Sequence, residues 1–225
     1  MRKDLFRRYL LFSVSIFINA LGISVITKAM LGTSAISSVP YVLSCFTPFT
    51  MGQYTIAINL LFVVLELLLM PHQDIRDSKF QLAFQVPVGV CFGWFIDLCM
   101  NFILQDLAPD LYVAEVITLL TGCFLLATGV SLEVKANVAM VPGECIVRVI
   151  ALRLRCDFGW VKMVFDITLV TIASALSLLF MSHIEGVREG TVVAALIVGP
   201  ITHFLQPYWH VMDHWLSPST VWQQQ

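Results

Sequence analysis

Phe17-Ile-Asn-Ala-Leu-Gly-Ile-Ser-Val-Ile-Thr-Lys-Ala29 is the stretch on which the fold turns. It closes residues 9–27, nineteen positions without a formal charge. An α-helix rising 1.5 Å per residue needs about 20 apolar residues to cross a hydrocarbon layer. Residues 9–27 therefore read as a membrane span. Arg2, Lys3, Arg7 and Arg8 precede it, as in a cleaved leader. The apolar run is span length, and Lys28-Ala29-Met30 lacks the small residues of a cleavage site, so the segment is expected to be retained.

The same stretch returns later. Shifting the chain by 107 residues lays Phe17 on Phe124, Ala20 on Ala127, Gly22 on Gly129, Ser24 on Ser131, Lys28 on Lys135 and Ala29 on Ala136. That is six identities in thirteen positions, and Gly, Ser and Lys coincide by chance far less easily than Leu in apolar sequence. The shift also lays Gly52 on Gly159 and Asn59 on Asp166. A shift of 106 lays Gly93 on Gly199 and Asp97 on His203. The expectation is a duplicated chain.

Composition agrees with a lipid solvent. Hydrophobic residues make up 58% and charged residues 12%, against about 25% charged in soluble domains. Six segments are long and apolar enough to span: residues 8–29, 51–70, 80–104, 111–132, 160–181 and 191–212. Unbroken apolar runs such as residues 60–65 lack the alternation of a membrane β-barrel. The fold class is all-α: a single polytopic membrane domain, residues 1–225, with a first repeat at 8–104 and a second at 111–213. With the N-terminus in the cytoplasm, eleven Lys and Arg fall inside and only Lys28 and Arg188 outside. The positive-inside rule thus places both termini and Arg76 in the cytoplasm and residues 105–110 outside.

Two connections are too apolar for solvated loops and too short to cross. Residues 32–46 open on Gly32 and residues 141–154 on Val141-Pro142-Gly143. Both read as short half-helices, either re-entrant or lying in the interface. Each repeat is then a span, a half-helix and two spans. Three crossings are odd, so the second repeat must be inverted, an arrangement recurrent in secondary transporters.

Gly22-x-Ser24, Lys28-Ala29-Met30-Leu31-Gly32-Thr33-Ser34, Gly52-Gln53 and Gly190-Thr191…Gly199-Pro200-Ile201 together resemble the YitT/YczE/YyaS-type family of bacterial multi-pass membrane proteins. The chain departs from that pattern at Ala35, where relatives often carry Pro, and at Thr202-His203, where they often carry Asp. The resemblance implies a bacterial cytoplasmic (inner) membrane protein with this architecture and no settled activity.

Ionisable groups inside spans are costly and hence functional candidates. Asp166 lies in the fifth span, and its repeat mate Asn59 in the second; a plain helix–helix polar contact is the alternative. Asp97 and His203 could pair across the repeat interface to couple a proton or cation. The alternative puts Asp97 near headgroups and His203 on a carbonyl. Glu66 and Glu115 read as interfacial, being near span ends. Gly32, Thr33, Ser34 and Ser37 mark the start of the first half-helix, where free N–H groups suit an anion, although Ser also simply caps helices. Gly143 and Glu144 open the second, where Glu144 competes with an anion and Glu144–Arg148 is an i,i+4 pair.

No H-E-x-x-H, G-x-S-x-G or P-loop pattern occurs. The six scattered cysteines read as small apolar packing residues. His210 and His214 alone make a weak metal pair. Neither catalysis, a cofactor nor a bound metal is expected. The leading expectation is a small secondary transporter or permease-like protein of unknown substrate. A non-transporting assembly or regulatory factor is the alternative. Expected partners are the lipid bilayer and a small-molecule or ion substrate, with homo-oligomerisation open and nucleic acid not expected.

Overall fold

The computed structural model describes residues 2–70 and 72–212, with side chains at residues 6–70 and 82–209. Arg76, Lys79 and the His210/His214 pair therefore lie outside the described side chains. The described residues are helical without strands. In chain order they form α1 (Arg2–Lys28), α2 (Ala35–Phe46), α3 (Met51–Leu69), α4 (His72–Leu98), α5 (Tyr112–Ala136), α6 (Pro142–Leu154), α7 (Phe158–Met181) and α8 (Glu189–Leu205). At Leu98, α4 widens into a π-helical turn, Cys99–Ile103, closed by Leu104 N–H on the Cys99 carbonyl at 2.8 Å. A 3₁₀ turn, Gln206–Met212, prolongs α8.

Six helices are long and apolar enough to cross a membrane: Phe6–Lys28, Met51–Leu69, Leu82–Ile103, Tyr112–Ala136, Phe158–Met181 and Glu189–Trp209. They match the six expected segments, and α2 and α6 match the two half-helices. One boundary matters. The fourth span was expected to stop at Leu132, but α5 runs on to Ala136, where Asn137 takes the left-handed conformation of a helix C-cap (φ 49°). That extra turn carries Glu133 into the bundle.

Local chemistry sets several ends. Thr50 and Gln53 form a reciprocal capping box at the start of α3: Gln53 N–H donates to Thr50 Oγ1 at 3.2 Å and Thr50 N–H to Gln53 Oε1 at 3.0 Å. Pro142 occupies the first turn of α6, where its missing N–H costs nothing. Asp157 caps α7 by accepting from Gly159 N–H at 2.9 Å and Trp160 N–H at 3.3 Å. Within the spans, hydroxyls bond back to carbonyls one turn earlier, as Ser24 does to Ala20 at 2.8 Å, which satisfies those donors without water.

The helices pack as two groups. α1, α4, α5 and α8 share one core around Ala20, Ile26, Ile96 and Cys123. α2, α3, α6 and α7 share the other around Val42, Phe62, Ile146, Val147 and Ala173. The innermost span is α1: 67% of it is buried, against 33% or less for any other. Its partner α5 runs antiparallel, and the duplicated glycines let the two backbones touch. A Cβ on Gly22 would sit 2.5 Å from Leu126 N, and one on Gly129 2.7 Å from Asn19 N. Between apolar helices in lipid such close contact is a main source of association, because burial of apolar area gives little there. Cys45, Cys91 and Cys156 are exposed on the bundle surface, whereas Cys99 and Cys123 pack inside.

Gly129→Ala should therefore lower the detergent-solubilised protein's Tm by several degrees, the cost of forcing a methyl into a closed contact being about 1–3 kcal/mol. Gly199→Ala is the matched control, since a Cβ there meets nothing within 4 Å. Equal Tm for the two variants would contradict the close crossing.

Candidate functional site

Two short helices that begin inside a bundle must satisfy their first N–H groups without water. In this chain they begin against each other. A Cβ on Gly143, in the first turn of α6, would press on Ile36 Cδ1, the tip of a side chain in the first turn of α2. The bare Cα leaves that side chain in place. Phe62 of α3 closes the junction, its Cε2 3.6 Å from the same point. From there the two helices diverge. Phe46, at the end of α2, stacks on Phe180 in the last turn of α7 with centroids 4.6 Å apart. Arg153, at the end of α6, donates to the Leu69 carbonyl at the end of α3. α2 and α6 thus lie N-terminus to N-terminus and return toward different ends of the bundle.

The entry to α2 is held by α8. Gly32 adopts φ +114°, a conformation that L side chains avoid, and a Cβ there would meet Thr191 and Arg188. Arg188 Nη1 donates to the Met30 carbonyl at 2.8 Å, and Gly190 N–H to the Leu31 carbonyl at 2.8 Å. Thr33 is fully buried, donates its N–H to the Gly186 carbonyl at 3.0 Å and shares a hydroxyl hydrogen bond with Thr27 at 2.7 Å. Ser34 sits at the N-cap of α2, but its side chain does not cap: Oγ is buried without a partner. Ser37 is buried beside it.

The entry to α6 is held by a residue that the sequence reading passed over. Glu133 is only 3% exposed. Its Oε1 accepts from Val141 N–H at 3.0 Å and its Oε2 from Asn19 Nδ2 at 2.7 Å. One carboxylate therefore ties α5 to α1 and caps the half-helix. Glu133 escaped because the expected span ended one residue before it, and Asn19 because no charge marks it. The left-handed Asn137 was the available signal that the helix continued past Leu132.

Glu144 is half-buried in the first turn of α6, within electrostatic reach of Glu133, Lys162 and Asp166. Arg148 is exposed, and among the described residues it makes no ion pair with Glu144. Asp166 pairs with Lys162 one turn earlier on α7, Nζ to Oδ1 at 2.7 Å. Cys145 follows Glu144; burial pushes its thiol up, and the nearby charges of Glu66, Glu144 and Glu133 push the same way, against Arg148.

On α3, Asn59 packs against Gly89 of α4 and is buried with Nδ2 unpartnered. Two turns on, near the end of α3, Glu66 is 4% exposed, buried between helices. Helix α3 turns that face toward α4 and α6, so the carboxyl meets Gln85, whose Nε2 donates to Oε1 at 3.3 Å. Glu115 lies half-exposed in the first turn of α5.

Asp97 and His203 are not brought together. Asp97 accepts from Thr50 Oγ1 at 2.6 Å and Gly52 N–H at 2.8 Å, serving as the anion at the N-terminus of α3. His203 is exposed on the outer side of α8. The structure therefore groups Ser34, Ser37, Gly143 and Glu144 at or beside the half-helix junction, with Gly32 and Thr33 at its entry. Asn59 lies on the adjoining helix, Asp166 next to Glu144, and Asp97 and His203 stand apart.

Six apolar helices of span length, two half-helices meeting inside them and buried polar side chains at the meeting point define a membrane-type helical bundle. No curated protein and no solved structure matches the chain. The chain belongs to a family of unknown function, DUF6198, whose family model matches residues 6–207.

Glu133→Leu tests the α6 cap. It leaves the Val141 N–H and the Asn19 Nδ2 without their acceptor, costing about 1–3 kcal/mol. The variant should unfold at a lower temperature than wild type; an unchanged Tm would show that Glu133 does not hold the half-helix.

Proposed function

We propose that this chain is a small secondary transporter of the bacterial cytoplasmic membrane, with its site where α2 and α6 meet. The observation that carries the proposal is the head-to-head junction. Two helix N-termini converge on one point, so their positive dipole ends face each other there. Ser34 Oγ and Asn59 Nδ2, both buried and unpartnered, add polar groups that a dry structural core would have paired. Broken helices at the repeat interface are the usual substrate sites of such carriers.

The inverted-repeat reading has its own support. The 107-residue shift carries Gly22 to Gly129 and Asn19 to Leu126, so it exchanges the two contacts Gly22–Leu126 and Gly129–Asn19. It likewise exchanges the packing of α2 on α7 with that of α6 on α3. Inversion with three spans per repeat goes with both termini in the cytoplasm, the orientation that Lys and Arg placement favours. The likeness of the Gly-, Ser- and Pro-based motifs to YitT/YczE/YyaS-type proteins favours the same architecture. The reading is transport without catalysis.

A non-transporting assembly or regulatory factor is the second reading. It is favoured by an apolar hollow of about 520 Å³ between α6 and α7, lined by Ile150, Leu154, Trp160, Val161, Val164 and Phe165 among others. Such a surface suits a partner helix as well as a lipid chain.

Alternating access separates the two. In a cysteine-free background, Ser34→Cys and Asn59→Cys should react with a water-soluble, membrane-impermeant thiosulfonate, Ser34→Cys from both sides of proteoliposomes. Val164→Cys, on the lipid-facing surface of α7, should stay unlabelled. No reaction at Ser34 or Asn59 from either side would overturn the transport reading in favour of the second.

A further inference from the structure

Two buried acids of this bundle are bonded differently. Glu133 receives an N–H on each carboxylate oxygen, so neither oxygen lacks a partner, although the Asn19 Oδ1 beside it does. Glu66, equally buried, receives one N–H, from Gln85, while its Oε2 has no partner. Gln85 is 3% exposed, and its Oε1 also has no partner. Two acceptor oxygens on two side chains already joined by one hydrogen bond are thus both short of a donor. A charged carboxylate with an empty lone pair and no cation is among the most costly groups to bury. Among the described residues Glu66 makes no ion pair.

One proton removes both defects. A carboxylic acid donates its O–H and accepts on its carbonyl; a carboxamide donates N–H and accepts on its oxygen. Placed side by side they close a ring of two hydrogen bonds, Gln85 Nε2–H to Glu66 Oε1 and Glu66 Oε2–H to Gln85 Oε1. We propose that Glu66 and Gln85 form a buried binding site for a single proton, which makes the proton the coupling ion of the transport reading above. This step rests on that reading only for its role; the site itself stands on the bonding pattern.

The surroundings fit. Helix α6 packs on α3 and carries Cys145, Glu144 and Arg148, with Glu133 bonded at its entry. α4 supplies Gln85, and α2 carries no charged residue. Phe62, one turn before Glu66 on α3, touches the half-helix junction. Loss of the proton leaves a carboxylate beside the N-terminus of α6, where the dipole attracts it. Protonation and the position of α6 are thereby linked. Two oxygens are too few to replace the hydration shell of a metal cation, which favours the proton.

The experiment is infrared spectroscopy of the full chain in lipid nanodiscs at neutral pH. Wild type minus Glu66→Gln should show the carbonyl band of a protonated carboxyl, sensitive to deuterium exchange and unchanged by sodium. Gln85→Leu should keep the band but move it to higher frequency, since the hydrogen-bond partner is gone. This second variant also decides the matter if Glu66→Gln does not fold. Absence of the band, its loss on adding sodium, or no shift in Gln85→Leu would overturn the proposal. The result is independent of transport: the band reports the proton site itself, whereas failure of the transport reading would appear as no labelling at Ser34→Cys or Asn59→Cys from either side.

Discussion

The backbone contact between α1 and α5 is the constraint on which the other features of this bundle depend. Lipid gives apolar helices little reason to associate, so association has to come from close fit and from polar bonds. Gly22 and Gly129 provide the fit, each lying on the opposing main chain. The same contact puts Asn19 beside Gly129 and within 2.7 Å of the Glu133 carboxylate. Glu133 in turn fixes Val141 N–H, and with it the start of α6. A methyl group at Gly129 would thus be felt not only at the crossing but at the half-helix one bond further on.

The second consequence concerns unpaired backbone. A half-helix starting inside an apolar bundle exposes N–H groups, each costing several kcal/mol if left unbonded in hydrocarbon. The two starts are held differently, each through a residue just before the first turn. At α6 a buried acid accepts the Val141 N–H. At α2 the loop before α8 accepts, through the Gly186 carbonyl on Thr33 N–H at 3.0 Å. The acid-bearing side also holds Glu66, Glu144 and Cys145, whereas the α2 side is hydroxyl-lined by Thr33, Ser34, Ser37 and Ser38. One face of the junction is therefore titratable and the other is not.

The helical, six-span character was legible because apolar run length and the rarity of charge are properties of single segments. Gly22/Gly129 and the starts at Gly32 and Gly143 were legible because a repeat and a break in hydropathy both show in one dimension. The acids were not. Glu133 looked like a loop residue once the span was closed at Leu132, and Glu66 looked interfacial by its distance from the end of the run. In the fold, α5 gains a further turn and α3 turns Glu66 toward Gln85, so burial depends on neighbours rather than on depth. Asp97 was noticed for its charge, but its partner is the start of α3, 45 residues earlier. The pairing of Asp97 with His203 rested on the repeat offset alone, and His203 faces outward.

Everything proposed about function depends on the half-helices meeting inside the bundle rather than lying apart at its two surfaces. Paired cysteines at Ile36 and Gly143, in a cysteine-free background and in native membranes, test this most directly. Disulfide geometry requires Cα atoms within about 7 Å. Rapid, near-complete cross-linking on mild oxidation, with little for a Phe46→Cys/Gly143→Cys control, is the predicted result. No cross-link at Ile36 and Gly143 under conditions where both single cysteines can be alkylated would contradict the account.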